Sequence, residues 1–435
     1  MLLKIILRNL KDNNDFLLFD FFLVLFFNFS IFFNNGGSMN FDYDVAIIGA
    51  GPIGSTLAYK LAKEDLNVCL IDKKSVIGLP LQCAGIISYK VFNLNELPDD
   101  VILNKVRGAN IYSKSHSLTV AKDDYQAVVI DRVSYDQFLF NRACEAGVDS
   151  YLSSKVRDVD IDDGIVYFGD STIRAKVIVG ADGPNSIVSH KFNNDFDYFN
   201  ASQYLVKVEN IDEMDFVNVY AGSIFPGFIW AVPTYNNIFR VGMFSNHSYK
   251  EQSKILDKFL DNGFQKIPHN NCGSDYYDYT VLERYIGKIP IFNEKDSLTK
   301  SRAILIGDAA SQVKPTSGGG LIMGFNTCEI AKNNILNALK EDNIDLLSNY
   351  HDDFMNRYSK EFSYQFKVQK SLSLLSDDDI DYAFIKLKEK NCEELISKYG
   401  DMDNQSILIK ECLKRGLILS LIPKLFKKDL IKIWF

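Results

Sequence analysis

The stretch from Asp42 to Gly85 constrains this chain more than any other. An apolar run, Val45 to Ile48, has the length and composition of a buried parallel strand. It ends in Gly49-Ala50-Gly51-Pro52-Ile53-Gly54 and passes into a helical pattern from Ile53 to about Lys63. A second apolar run, Val68 to Ile71, ends on Asp72. Strand, glycine turn, helix, strand and acid, in that order, make a dinucleotide-binding unit. Gly49 permits the tight turn, Gly51 lets the backbone approach a pyrophosphate, and Gly54 lets the helix pack close to the strand. The phosphates meet unpaired N–H groups at the start of the helix, where the macrodipole favours negative charge. Asp72 is positioned to accept from ribose hydroxyls, and its charge repels a 2′-phosphate. A plain glycine-rich turn gives no reason for the second strand and its terminal acid, so a bound dinucleotide is expected here.

At 435 residues the chain has room for two or three domains. A net charge of −8 argues against a nucleic-acid surface, and no nucleic-acid partner is expected. Cys69, Cys83, Cys144, Cys272, Cys328, Cys392 and Cys412 contain no CxxC pair, and the five histidines show no ligand spacing. Neither a metal site nor a disulfide framework is expected, and a reducing cytosol fits. Residues 1–38 stand apart. Phe16 to Phe33 is an apolar run broken by Asp20, Asn28 and Ser30 and preceded by Lys4, Arg8 and Lys11. It has the length of a marginal membrane span or signal segment. A chain starting at Met39 would enter the first strand almost at once. Residues 1–38 are therefore expected to be an extension outside the fold.

Downstream, Asp131 to Ala146 reads as an amphipathic helix with Asp131 as N-cap and Gly147 just beyond its end. From about Phe192 to Arg284 the composition changes to alternating β-type segments with one helical segment, and Ala303 to Ile306 returns to a buried parallel-type strand. Helical patterns dominate from Leu321 onward. The expected fold is α/β: a Rossmann-like dinucleotide domain from 39–191 and 285–340, an inserted antiparallel-sheet domain at 192–284, and a helical region at 341–435.

Three further strings join the fingerprint. Arg132 opens the helix after Asp131, where it can reach a phosphate or a ribityl chain. Val177 to Gly180 runs into Ala181-Asp182-Gly183-Pro184, and Ala303 to Ile306 runs into Gly307-Asp308-Ala309-Ala310 with Ser317-Gly318-Gly319-Gly320 close behind. Each string sets an aspartate at the carboxyl end of a buried strand, where ligands of open α/β sheets collect. Over roughly Asp42 to Leu339 this order resembles FAD-dependent enzymes with the glutathione-reductase/p-hydroxybenzoate-hydroxylase-like fold. The resemblance implies FAD as cofactor, Asp308 on its ribityl chain, and N–H groups of Gly318, Gly319 and Gly320 on the flavin pyrimidine edge.

Pro80-Leu81-Gln82-Cys83-Ala84-Gly85 and Phe225-Pro226-Gly227-Phe228-Ile229-Trp230-Ala231-Val232-Pro233 narrow the resemblance to the geranylgeranyl reductase family, in its archaeal digeranylgeranylglycerophospholipid reductase form. Ala84, Phe228 and Val232 depart from that family's usual glycine, tyrosine and phenylalanine. The implied activity is saturation of isoprenoid double bonds in ether membrane lipids, with hydride from reduced flavin N5. Cys83 is the candidate proton donor, with Tyr220 and Tyr235 as alternatives, and Trp230 and Pro233 are candidate walls of a substrate tunnel. The electron donor is left open among ferredoxin, a nicotinamide and a deazaflavin. A flavin monooxygenase or halogenase-like enzyme on the same fold is the rival reading. A prenyl chain loses about 0.8 kcal/mol per CH₂ on entering water, so the enzyme is expected to dock peripherally on the cytoplasmic face of a membrane. Residues 414–435 offer a means: Lys414, Arg415, Lys424, Lys427, Lys428 and Lys432 stand against a single acid, Asp429, with apolar residues between them.

Overall fold

The computed structural model describes residues 40–194, 197–209, 211, 214–222, 224, 227–262, 278–417 and 433. Residues 1–38, Phe225, Pro226 and nearly all of the basic terminal stretch lie outside the described residues.

Four apolar runs build the centre of the first sheet. Its main strand order is Thr299–Lys300, Ala303–Leu305, Ser171–Gly180, Tyr43–Ile48, Val68–Ile71, Asp149–Tyr151, parallel except at the Thr299–Lys300 edge, and Ile165–Phe168 and Val156–Asp160 branch off Ser171–Gly180 as antiparallel strands. Val45 to Ile48, Val68 to Ile71, Val177 to Gly180 and Ala303 to Ile306 are buried without alternation, as strands covered on both faces must be. Helices Pro52–Ala62, Arg132–Glu145 and Leu321–Lys340 pack against one another beside this sheet. The Asp131 carboxylate caps the second of these by accepting from the N–H groups of Val133 and Ser134.

The second sheet has seven strands in the order Tyr279–Pro290, Tyr198–Val208, Ile238–Ser245, Ile229–Pro233, Phe216–Tyr220, Gly108–Tyr112, Ser117–Ala121. All neighbours are antiparallel except Phe216–Tyr220 with Gly108–Tyr112. This corrects the expected boundary of 192–284. Two strands of the sheet come from 108–121, inside the segment assigned to the dinucleotide domain, and the first strand runs on to Pro290. One face of the sheet packs under helix Tyr249–Asp261 through Tyr204, Val241, Met243, Leu256 and Leu260. The opposite face turns Val217, Val219, Trp230 and Val232 toward Val106, Ala127 and Val129.

The C-terminal helices Asp377–Glu389 and Cys392–Tyr399 pack on Ser117–Ala121, the free edge of that sheet. Edge N–H groups find side-chain acceptors there: Thr119 donates to Glu393 Oε1 at 2.8 Å and Ala121 to Ser397 Oγ at 3.1 Å. An edge paired in this way no longer templates another strand. Among the described residues no helix is long and apolar enough to cross a membrane.

Candidate active site

The glycine turn divides its work among three residues. Gly49 sits at φ 106°, and a Cβ there would lie 2.3 Å from the carbonyl oxygen of Ala181. A Cβ on Gly54 would lie 2.0 Å from the Gly49 oxygen, so helix and strand meet at backbone distance. A Cβ on Gly51 would meet nothing within 4 Å, because this residue faces an open cavity. Asp72 does more than expected: its Oδ2 accepts from the Ala50 N–H and its Oδ1 from the Lys74 N–H, both at 2.8 Å. It braces the turn and keeps lone pairs for a ligand. Among the described residues the N–H groups of Gly51, Ile53 and Gly54 have no acceptor, which leaves an anion cradle at the start of the helix.

Two half-buried carboxylates face the same cavity. Asp182 Oδ2 accepts from the Ile187 N–H at 2.8 Å, while its Oδ1 is buried without a partner. Burial pushes the Asp182 carboxyl above its usual range. Asp308, in the turn Gly307–Ala310, is also pushed up by burial, with the Arg132 charge working the other way. Buried acceptors without donors are unfavourable. Hydroxyls of a ribose and a ribityl chain would satisfy both, and with the open face of Gly51 this fits a flavin dinucleotide.

The glycine run corrects one implied role. The Gly318 N–H is taken by the carbonyl of Lys314 at 2.8 Å and is not available to a flavin ring. Gly319 and Gly320 line the cavity, and among the described residues their N–H groups have no acceptor. They open helix Leu321–Lys340, whose length gives its start a full positive dipole end. Beside them the buried Lys314 Nζ donates to Asp403 Oδ1 at 2.9 Å and to the Met402 carbonyl at 2.7 Å. Neither Lys314 nor Asp403 was found from sequence, since nothing in a lone lysine or a distant C-terminal acid marks such a pair.

Cys83 lies in the cavity wall and accepts a hydrogen bond on Sγ from the Gly85 N–H at 3.3 Å. Its loop is held from the second sheet. Gln203 Nε2 donates to the Cys83 carbonyl at 3.2 Å, and Gln203 Oε1 accepts from Trp230 Nε1 at 3.2 Å. Arg240 Nη1 donates to the carbonyls of Ala84 and Ile130, both at 2.9 Å. The loop ends in glycine for this reason: at φ 70° a Cβ on Gly85 would stand 1.9 Å from that nitrogen. Arg132 lines the cavity as expected, but part of its guanidinium is already engaged. Its Nε and Nη2 fork the Asp136 carboxylate at 2.9 Å each, which leaves three of its five N–H donors for a ligand. Burial alone would lower it, yet Asp136 and Cys83 hold it above its ordinary value.

Strand parity sorts the remaining candidates. Trp230 and Val232 line the cavity; Ile229 and Ala231 point to the helix side, and Pro233, which shares their parity, is buried outside the cavity wall. Pro233 is therefore not a wall of the substrate chamber. Tyr220 falls on the helix side against Phe259, its hydroxyl buried and without a partner among the described residues, and Tyr235 is 48% exposed in a turn. Neither lines the cavity, which leaves Cys83 among the three proton-donor candidates. Tyrosines not picked from sequence do line it, among them Tyr249 and Tyr285, the latter with its hydroxyl pushed up to about 12 by burial and Glu283.

The residues that do line it surround one continuous cavity of about 1550 Å³. Ordinary ligand sites run to roughly 300–1,000 Å³, so this one has room for a dinucleotide and a second molecule.

The family described as lycopene cyclase protein matches residues 44–395. Uncharacterized protein MJ1520 of Methanocaldococcus jannaschii is 30% identical over 383 residues, which cover 86% of this chain and 95% of the relative. The digeranylgeranylglycerophospholipid reductase of the same organism is 28% identical over 366 residues, covering 79% and 90%. Among solved structures, a geranylgeranyl bacteriochlorophyll reductase-like protein from Thermoplasma acidophilum superposes with a TM-score of 0.74 at 24% identity, covering 89% of this chain and 99% of that one. The fold is accordingly the glutathione-reductase/p-hydroxybenzoate-hydroxylase-like one expected from the motif order.

Proposed function

Because the chain belongs to the lycopene cyclase protein family and, within it, to the geranylgeranyl reductases, we propose that it is an FAD enzyme saturating the isoprenoid double bonds of ether-linked membrane lipids. One observation carries this reading: the cavity that starts at the glycine turn continues without a wall into a chamber lined by Val217, Val219, Phe228, Trp230 and Val232. A hydroxylase or halogenase of small aromatic compounds has no use for so large an apolar annex.

The chemistry divides between cofactor and chain. Bound FAD supplies a hydride from N5. The glycine turn and Asp72 would hold the dinucleotide, Asp182 and Asp308 would accept from its hydroxyls, and Gly319 and Gly320 would donate to the ring. The apolar chamber would seat the alkene and exclude water. Saturation requires a hydride at one alkene carbon and a proton at its neighbour, a gain of two hydrogens per double bond. The Cys83 thiol, or a water held by it, delivers that proton, with Gln203 and Arg240 fixing its loop.

The lipid must be met where it resides. Docking on the bilayer through the basic, apolar-rich terminal stretch would spare the prenyl chains an aqueous passage.

The test is anaerobic. The purified chain is reduced with dithionite and mixed with a phospholipid bearing geranylgeranyl ethers, and the products are weighed. A gain of two hydrogens per double bond is expected. A colourless protein that cannot be reconstituted with FAD overturns the proposal, as does oxygen-dependent hydroxylation in place of saturation.

A further inference from the structure

We infer that Lys314 and Asp403 act as an opposed pair that sets the reduction potential of the flavin, the carboxylate being supplied by the C-terminal helical region. The inference rests on the flavin reading of the cavity.

The cavity contains two open helix starts. One, at Pro52–Ala62, carries the glycine turn and Asp72 and suits phosphates and ribose. The other, at Leu321–Lys340, is the one that borders the second sheet: a Cβ on Gly318 would lie 2.9 Å from Ile289 Cδ1, on strand Tyr279–Pro290. The redox-active ring, which must face the substrate chamber, belongs at this second start. Lys314 sits there. Its Nζ is 3.3 Å from where a Cβ on Gly319 would be, so the ammonium lies against the backbone the ring must meet. Its side chain is 11% exposed.

An ammonium has three donors. Two are used, on Asp403 and on the Met402 carbonyl, and the third remains. Asp403 is anchored independently of the glycine run. Its Oδ2 accepts from Ser88 Oγ at 2.6 Å and stands 3.7 Å from Lys90 Nζ. Lys90 in turn pairs with Asp401 at 2.7 Å. The carboxylate therefore keeps its place whether or not the ring is present, and offsets the Lys314 charge continuously.

Uptake of two electrons and one proton adds one negative charge to the ring. A nearby cation favours the reduced form, raising the potential; a nearby anion lowers it. An isolated alkene is a poor hydride acceptor, so a lone buried ammonium would hold the reduced form too firmly to give its hydride away. Asp403 moderates that hold. The C-terminal region thereby has an electrostatic task besides covering the sheet edge.

The experiment measures the midpoint potential of bound FAD in wild type, Lys314→Met, Lys314→Arg and Asp403→Asn, by reductive titration against a reference dye. Lys314→Met should shift the oxidised/reduced balance about tenfold toward oxidised, ~30 mV downward for a two-electron couple. Asp403→Asn should shift it upward by a similar amount, and Lys314→Arg should restore the wild-type value. Asp403→Asn is nearly isosteric and carries the test by itself if Lys314→Met does not accumulate as folded protein. Flavin-loaded variants with unmoved potentials, or both moving in one direction, overturn this inference alone. A wild type that binds no flavin overturns the reading of the cavity and this inference with it.

Discussion

Asp308 shows how a single residue trades stability for a site. Its half-buried carboxyl faces the cavity with no donor among the described residues, and desolvation holds its native pKa above the ordinary value. A carboxyl shifted this way binds its proton more tightly when folded. Its contribution is favourable in acid and lost as pH rises from the unfolded value through the native one. Asp308→Asn removes that loss. Without cofactor the variant should melt about 1–3 °C higher than wild type near pH 8, with the difference vanishing near pH 4, and it should bind FAD more weakly. Thermal melts at the two pH values check the sign, and a wild type that melts higher at pH 8 would refute it. Cys83 is the other residue whose role is separable from binding. Cys83→Ala should keep FAD bound while turnover falls roughly 10²-fold, the lower range for a general acid; unchanged turnover removes it from the chemistry. Both residues were legible because short strings fixed their context. Pro233 was misread for a reason visible in the sequence, since strand parity opposes it to Trp230. Arg240 was given no role from sequence because a buried arginine whose partners are backbone carbonyls, rather than an acid, leaves no pairing in the sequence.

At the scale of elements, the strand–turn–helix unit was legible because strand, glycine turn, helix and second strand all lie within one short stretch of sequence. The three glycines make different predictions. A side chain on Gly54 strikes the Gly49 oxygen within the unit itself, so Gly54→Ala should destabilise the protein by about 1–3 kcal/mol with or without cofactor, as overpacking does. Gly51 faces open space, so Gly51→Val should leave the apoprotein close to wild-type stability and weaken FAD binding instead. Denaturant melts of the apoproteins and flavin retention on gel filtration separate the two. The reverse result, a stable Gly54 variant and an unstable Gly51 variant, would mean that the turn has been assigned wrongly. The second sheet was less legible. Gly108–Tyr112 and Ser117–Ala121 join it by a parallel pairing with Phe216–Tyr220, over a hundred positions away. No local pattern announces a partner at that separation.

Under the proposed function, the whole molecule must bring a membrane lipid to a cavity inside an acidic protein. The net charge is −8, which opposes approach to an anionic bilayer. Residues 414–435 run against that trend, with four lysines at 424, 427, 428 and 432 among leucines, isoleucines, Phe426, Trp434 and Phe435. Each basic side chain near an anionic surface contributes about 1 kcal/mol, and the attraction falls off within a Debye length. Replacing Lys424, Lys427, Lys428 and Lys432 with Gln should therefore lower sedimentation with anionic vesicles by at least about tenfold at low salt, and by much less at high salt. Neutral vesicles should show little difference, because the apolar residues are untouched. Leu417, the last described residue before these lysines, is buried with Cys392 and Leu395; if the lysines serve the membrane alone, the substitutions should leave the flavin spectrum and the melting temperature unchanged. Turnover should then split by substrate form: slower with lipid in vesicles, unchanged with the same lipid in detergent micelles. Equal loss in both would mean that these lysines serve the fold or the cavity, and that the lipid arrives by another face.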